Sequence, residues 1–161
     1  MMTMDFHKAI AAQYNAALAM LKSAVAHCPD ALWDDHRRGN AFWRTAYHAL
    51  LYTHLYLEET LESHRPWEKH NDAYRFDGPA ADADVVCPKS EVLAYVDFCR
   101  RQVAEKVPVL DLSAPSGFHW LPFSKFELQL YSLRHLQQHV GELMERLGPE
   151  SGVDWVGSQL I

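Results

Sequence analysis

Apolar residues recur at three- and four-residue spacing in four stretches of the chain, and the stretches between them are polar. In the first, Ile10, Tyr14, Ala17, Leu18, Leu21 and Val25 fall on one face, which predicts a helix over roughly 5–27 that stops before Pro29. The second predicted helix runs from Asn40, a good N-cap, to about Leu61. Its apolar residues, among them Phe42, Trp43, Ala46, Tyr47, Leu50, Leu51, Leu55 and Leu57, surround it almost completely. Such a helix is buried on several sides or forms a subunit interface. The third begins just after Pro88, carries Val92, Tyr95, Val96, Cys99 and Val103 as its inner stripe, and ends near Pro108. The fourth opens on a capping box, Ser124 with Glu127, with Phe123 and Leu128 as a hydrophobic staple. It continues through Phe126, Leu130, Leu133, Leu136, Val140, Leu143 and Leu147, and Gly148-Pro149 ends it.

The connections set the topology. Residues 62–87, holding Pro66, Gly78, Pro79 and several aspartates, read as a loop, with room for a short extra helix in 68–76. That is far longer than the ~2–8 residues that join antiparallel helical neighbours. A helix of ~21 residues is ~32 Å long, and about ten extended residues cross it. Helices two and three can therefore run parallel. The expectation is an all-α, up-down-down-up four-helix bundle with a long crossover between helices 2 and 3, forming a single domain over 1–161.

Composition narrows the class. With 161 residues and 48% hydrophobic positions, the chain can bury a core without staples. A formal charge of -6 argues against nucleic acid, whose phosphates call for a basic face. Cys28, Cys87 and Cys99 are odd in number and lack CxxC spacing, which favours reduced thiols and a cytoplasmic setting over a disulfide framework. The start of the chain lacks a basic stretch followed by an apolar run, so no signal peptide is expected. No apolar run approaches the ~18 residues of a membrane span.

The chemistry lies in the histidines. Of ten, only His135 and His139 are spaced i, i+4, mid-helix and beside the core positions Leu136 and Val140. Residues four apart point the same way, so both imidazoles can reach one ion at ~2.0–2.1 Å. His48, in the middle of the most apolar helix, is the candidate third ligand; the alternative is a buried neutral histidine bonded to a carbonyl. Glu142 falls on the same stripe as the pair, where it can ligate, accept a hydrogen bond from a ligand, or pair with Arg146. His54, six residues from His48, faces elsewhere and reads as packing or surface. His7, His27, His36, His64, His70 and His119 fall at helix ends or in loops. No Glu-x-x-His pair, H-E-x-x-H, P-loop, G-x-S-x-G or dinucleotide fingerprint is present.

The segment Leu133-Arg134-His135-Leu136-Gln137-Gln138-His139-Val140-Gly141-Glu142-Leu143 resembles the last helix of the DinB-like superfamily. Ala46-Tyr47-His48-Ala49-Leu50-Leu51 is similar to that family's second-helix histidine motif. Tyr95 to Arg100, Ser116 to Trp120 and the closing Trp155-Val156 extend the likeness over nearly the whole chain. Glu142 departs from the pattern, since family members often carry Gln there. The resemblance implies an up-down-down-up bundle and one divalent metal ion held by His48, His135 and His139, with water or substrate completing the shell. Known activities in the family include metal-dependent thiol S-transfer and thiol-dependent isomerisation.

Three neutral ligands leave an ion most of its charge, enough to acidify a thiol or water. Zn2+ is the favoured ion, with Ni2+ also suited to imidazole. The expected function is thiol-dependent S-transfer by a low-molecular-weight thiol to a small-molecule electrophile. The alternatives are a metal-dependent hydrolase and a non-enzymatic, metal-stabilised stress-response protein. Phe118 and Trp120, in the approach to the last helix, together with Tyr47, Tyr14 and Trp43, are candidate pocket residues. The apolar surplus of the second helix points to a homodimer unless the crossover covers it.

Overall fold

A computed structural model describes residues 4–76, 82 and 84–158. Met1–Thr3 and the loop markers Gly78 and Pro79 lie outside the described residues. The fold is all-helical, with no strand among the described residues. Among the described residues there are five α-helices: α1 (Phe6–His27), α2 (Asp30–Trp33), α3 (Phe42–Tyr56), α4 (Lys89–Lys106) and α5 (Lys125–Leu147). The four long ones correspond to the four predicted from periodicity. None is long and apolar enough to cross a membrane.

Each long helix is explained by its own stripe and ends. Asp5 caps α1 by accepting from the Lys8 amide at 3.0 Å, and the chain turns extended at Cys28, ahead of Pro29. The predicted α1 stripe, Ile10 through Val25, is buried along its length. In α4 the five predicted inner residues are all buried. Ser124 caps α5, its hydroxyl accepting from the Glu127 amide at 3.2 Å, and Gly148 closes that helix at φ +81°.

Four details differ from the pattern reading, the first being the short helix α2, which periodicity did not predict. The N-cap position of α3 is Ala41 rather than Asn40, and it makes no side-chain cap. The same helix ends at Tyr56, five residues early, because Thr60 and Ser63 take up each other's backbone groups in a turn that competes with helix. On α5, Leu130 is half exposed, while Lys125, Gln129 and Ser132 are buried instead. The core-facing side of this helix therefore includes polar residues that a hydrophobic count passes over.

The long helices pack pairwise: α1 on α4 and α5, and α3 on α4 and α5. Between α3 and α4, Tyr47 meets Tyr95, the Cys99 thiol lies 3.7 Å from the Leu50 carbonyl, and Lys106 pairs with Glu58, just beyond α3. Between α3 and α5, the Gln129 amide donates to the Tyr56 carbonyl and Arg146 to the Asn40 carbonyl. Residues 57–88 connect α3 to α4 and include a 3-10 turn at Asp72–Tyr74. This crossover lays Tyr74 against Trp43 and Tyr47, and stacks Trp67 on Tyr95 at 4.5 Å. The apolar surplus of α3 is thus met in large part by the chain's own crossover.

A second, smaller apolar cluster, Tyr56, Phe118, Leu121 and Leu128, joins the end of α3 to the start of α5. Its tightest point is Gly117, at φ +87°, where an added Cβ would lie 1.9 Å from the Glu59 carbonyl oxygen. Gly39 has a similar φ, +104°, with open space around it. Backbone strain alone costs a side chain there about 1–2 kcal/mol. Gly39→Ala should cost about that in chemical denaturation, and Gly117→Ala about 3 kcal/mol or more. Equal losses would show that the approach to Glu59 is not the constraint.

Candidate metal centre

His48, His135 and His139 converge between α3 and α5. Mid-helix placement fixes their directions: His135 and His139 lie on one stripe of α5, and His48 faces them from α3. The His48 Nε2 lies 3.2 Å from the His135 Nε2, which is itself 3.2 Å from the His139 Nε2. One ligand nitrogen from each of the three falls within 4.8 Å of the others. Two nitrogens bound to one ion at ~2.0–2.1 Å and a tetrahedral angle lie about 3.3 Å apart, so the separation fits a shared ion. As bare imidazoles the three converging nitrogens cannot all be satisfied by one another, since each neutral ring has one donor and one acceptor.

The surroundings of His48 and His135 favour neutral rings. Burial pushes the His48 imidazole down to about 3, with His139, His135 and Arg75 adding repulsion. Burial likewise pushes His135 down to about 4. A neutral imidazole is the form that binds a metal ion. On the outer side of His139, Nδ1 meets the Glu142 carboxylate at 3.1 Å. The carboxylate accepts that N–H, which leaves Nε2 as the lone pair facing the other histidines. Arg146, the alternative partner for Glu142, donates to the Asn40 and Asp35 carbonyls. Phe76 stacks on His48 with centroids 4.0 Å apart and closes that side.

One side is open. A cavity of about 230 Å³ is lined by His48, Tyr52, Tyr56, Trp120, Tyr131 and His135. Trp120 stands half exposed at its edge, and Phe118 packs behind it against Tyr56. Burial pushes the Tyr56 phenol up to about 12, so it faces the cavity as a neutral hydroxyl. The other aromatic candidates lie elsewhere. Tyr14 is buried with its hydroxyl donating to Gln129, Trp43 donates to Asp34, and Tyr47 bonds His70 at 2.7 Å.

Pattern reading passed over Tyr52, Tyr56, Tyr131 and Phe76. The three tyrosines carried a usable signal: 48, 52 and 56 share one stripe of α3, and 131, 135 and 139 one stripe of α5. Phe76 carried none, because only the path of the crossover brings it there.

Compared with known proteins, the chain matches no family model, no curated protein and no solved structure.

Two tests follow from this geometry. Equilibrium dialysis of His48→Ala or His135→Ala should show one equivalent of Zn2+ fewer than wild type, while His119→Ala, on an exposed loop, should show no loss. Unchanged binding in all three would sink the assignment. The second test concerns the metal-free protein and pH. An imidazole with a depressed folded pKa stabilises the fold only while neutral. Its contribution is complete above the ordinary value of 6.5 and is lost as pH falls through it toward about 4 and 3. His54, pushed down to about 3 by burial, acts in the same window. The urea midpoint should be level above pH 7 and fall steadily from pH 6.5 to pH 4, less steeply in His48→Gln. A midpoint unmoved between pH 7 and pH 5 contradicts the burial of these rings.

Proposed function

We propose that the chain is a metal-dependent enzyme, a thiol-dependent S-transferase of the DinB-like superfamily, built as an up-down-down-up four-helix bundle with one divalent ion at His48, His135 and His139. The observation that carries this is the convergence of three Nε2 atoms at ligand spacing beside an open aromatic cavity. The topology is supported by contacts that rise together along α3 and α4 (Tyr47 with Tyr95, Leu50 with Cys99, Glu58 with Lys106) and run oppositely between α3 and α5. The family assignment rests on the motif resemblance around His48 and His135–Glu142.

The ion, Zn2+ by preference and Ni2+ as the other candidate, supplies Lewis acidity and lowers the pKa of a thiol brought to it. The chain's residues do the remainder. Glu142 holds the His139 tautomer, Phe76 shields the flank of His48, and Tyr52, Tyr56, Tyr131 and Trp120 shape a small compartment for the reactants. A separate thiol is needed because the chain's own cysteines are poor nucleophiles. Burial pushes Cys28 up to about 11 and Cys87 to about 12, and raises Cys99 still more. None of the three lines the cavity.

Replacing Cys28, Cys87 and Cys99 together by Ala, in protein that still folds and holds metal, should leave thiol transfer to a model electrophile within a few-fold of wild type. Chelation should abolish it. Ester hydrolysis by the wild type in the absence of thiol, with no thiol transfer, would replace this reading with a hydrolytic one.

A further inference from the structure

On the other flank of α3 lies a second group of potential ligands, and from it we infer a second cation site. It would take one first-row divalent transition ion, of which Zn2+ is the natural example, on His54, Glu58 and His64.

Position comes first. His54 sits in the last turn of α3, Glu58 just beyond its end, and His64 in the crossover. One ligand atom from each lies within 4.8 Å of the others. The His54 Nε2 is 3.9 Å from the Glu58 Oε1, and the two imidazoles have centroids 4.7 Å apart. A shared ion needs these atoms to close to about 3.3 Å. Only short side-chain movements are required, because Glu58 and His64 lie outside the regular helix.

Burial and hydrogen bonding then separate this group from an ordinary surface cluster. His54 is 1% exposed and Glu58 7%. The His54 Nδ1 lies 3.2 Å from the Tyr95 hydroxyl. When that hydroxyl accepts the Nδ1–H, Nε2 is left as a lone pair facing Glu58, the arrangement that orients metal-bound histidines. The His64 Nδ1 is buried and has no hydrogen-bond partner among the described residues. Buried polar atoms are seldom left that way, and one explanation is an ion or water within the cluster. Two imidazoles and a carboxylate suit a borderline ion such as Zn2+ better than Ca2+ or Mg2+, which prefer oxygen.

Lys106 already pairs with Glu58. A carboxylate has about four lone-pair sites, so the ammonium and an ion can share it. Their mutual repulsion makes this the weaker of the two centres. A cleft of about 520 Å³, lined in part by Ser63, Arg65, Trp67 and Arg101, opens beside the cluster and lets water complete the shell. An ion here would tie the start of the crossover to α3.

Counting ions in the full chain tests the inference, with Zn2+ as the probe and equilibrium dialysis near pH 7.5 as the measurement. Wild type should bind two equivalents, and His135→Ala one. His64→Ala and Glu58→Gln should each bind one, and the retained equivalent reports that the fold is intact. In Lys106→Gln the second equivalent should bind several-fold more tightly. One equivalent in wild type that His135→Ala abolishes, or a second equivalent that survives His64→Ala and Glu58→Gln alike, overturns the second site and leaves the three-histidine centre standing. An equivalent lost in His64→Ala but untouched by His135→Ala supports the second site while removing the first.

Discussion

A buried guanidinium holds the crossover in place, and the candidate centre depends on it. The crossover, whose described residues hold little regular structure, must still find partners for its backbone carbonyls wherever it is shielded from water. Arg44, on α3 and 4% exposed, donates to four of them: Ala73 at 3.0 Å, Arg75 at 2.6 Å, Asp82 at 2.6 Å and Val85 at 3.3 Å. The planar guanidinium, with five donors in a fixed fork, suits this role better than an ammonium. Burial pulls its pKa down, opposed by Asp34 and Asp82, yet a guanidinium starts so basic that the side chain stays charged. By holding the Arg75 carbonyl, Arg44 also sets the position of the next residue, Phe76, against His48. The ring that shields the metal-ligand candidate is therefore placed by an interaction on the same helix, four residues before that ligand.

Lys125 does similar work at the other end. Its ammonium, on the buried side of α5, donates to the carbonyls of Glu58 and Glu59, both at 2.8 Å, and to that of Ser116. This gathers the end of α3 and the loop before α5 around one cation, at the point where the missing Cβ of Gly117 lets the loop approach Glu59. The loop continues into Trp120, so the edge of the aromatic cavity is fixed by the same cation. Each irregular segment beside the centre is thus fastened by a buried cation donating to backbone.

These cations mark the boundary of what was legible in the sequence. The four long helices, the α1 and α4 stripes, the Ser124 cap and the Gly148 stop could be read, because each follows from local spacing and local chemistry; the four-residue α2 was not predicted. The meeting of His135 with His139 was legible for the same reason. His48 was legible as a candidate because a histidine amid an apolar helix is uncommon. Arg44 and Lys125 were not, since a charged residue reads as surface by default, and their burial depends on carbonyls up to 67 residues away in sequence. The same limit hid Phe76 and the grouping of His54 with His64, which only the path of the crossover brings together. The premature end of α3 falls partly here, because beside the local Thr60–Ser63 bonds the Leu61 amide donates to the Gly117 carbonyl and Lys125 holds the Glu58 and Glu59 carbonyls.

The unusual composition of α3 follows from this geometry. Residues six apart on a helix lie about 240° round its axis. His48 therefore faces α5 while His54 faces α4, and the apolar side chains between them fill the remaining arc. A helix buried on both flanks has to be apolar nearly all round, as this one is, and any polar group placed on it must be neutral or fully partnered. Histidine meets that demand: it packs like an aromatic, titrates low when buried, and keeps a lone pair. Burial thus has two consequences at each position. It makes a protonated imidazole costly, and it holds a neutral nitrogen at fixed distance from its neighbours. The packing that lets α3 sit between α4 and α5 is also what places His48 and His54 in two clusters that could hold a metal ion.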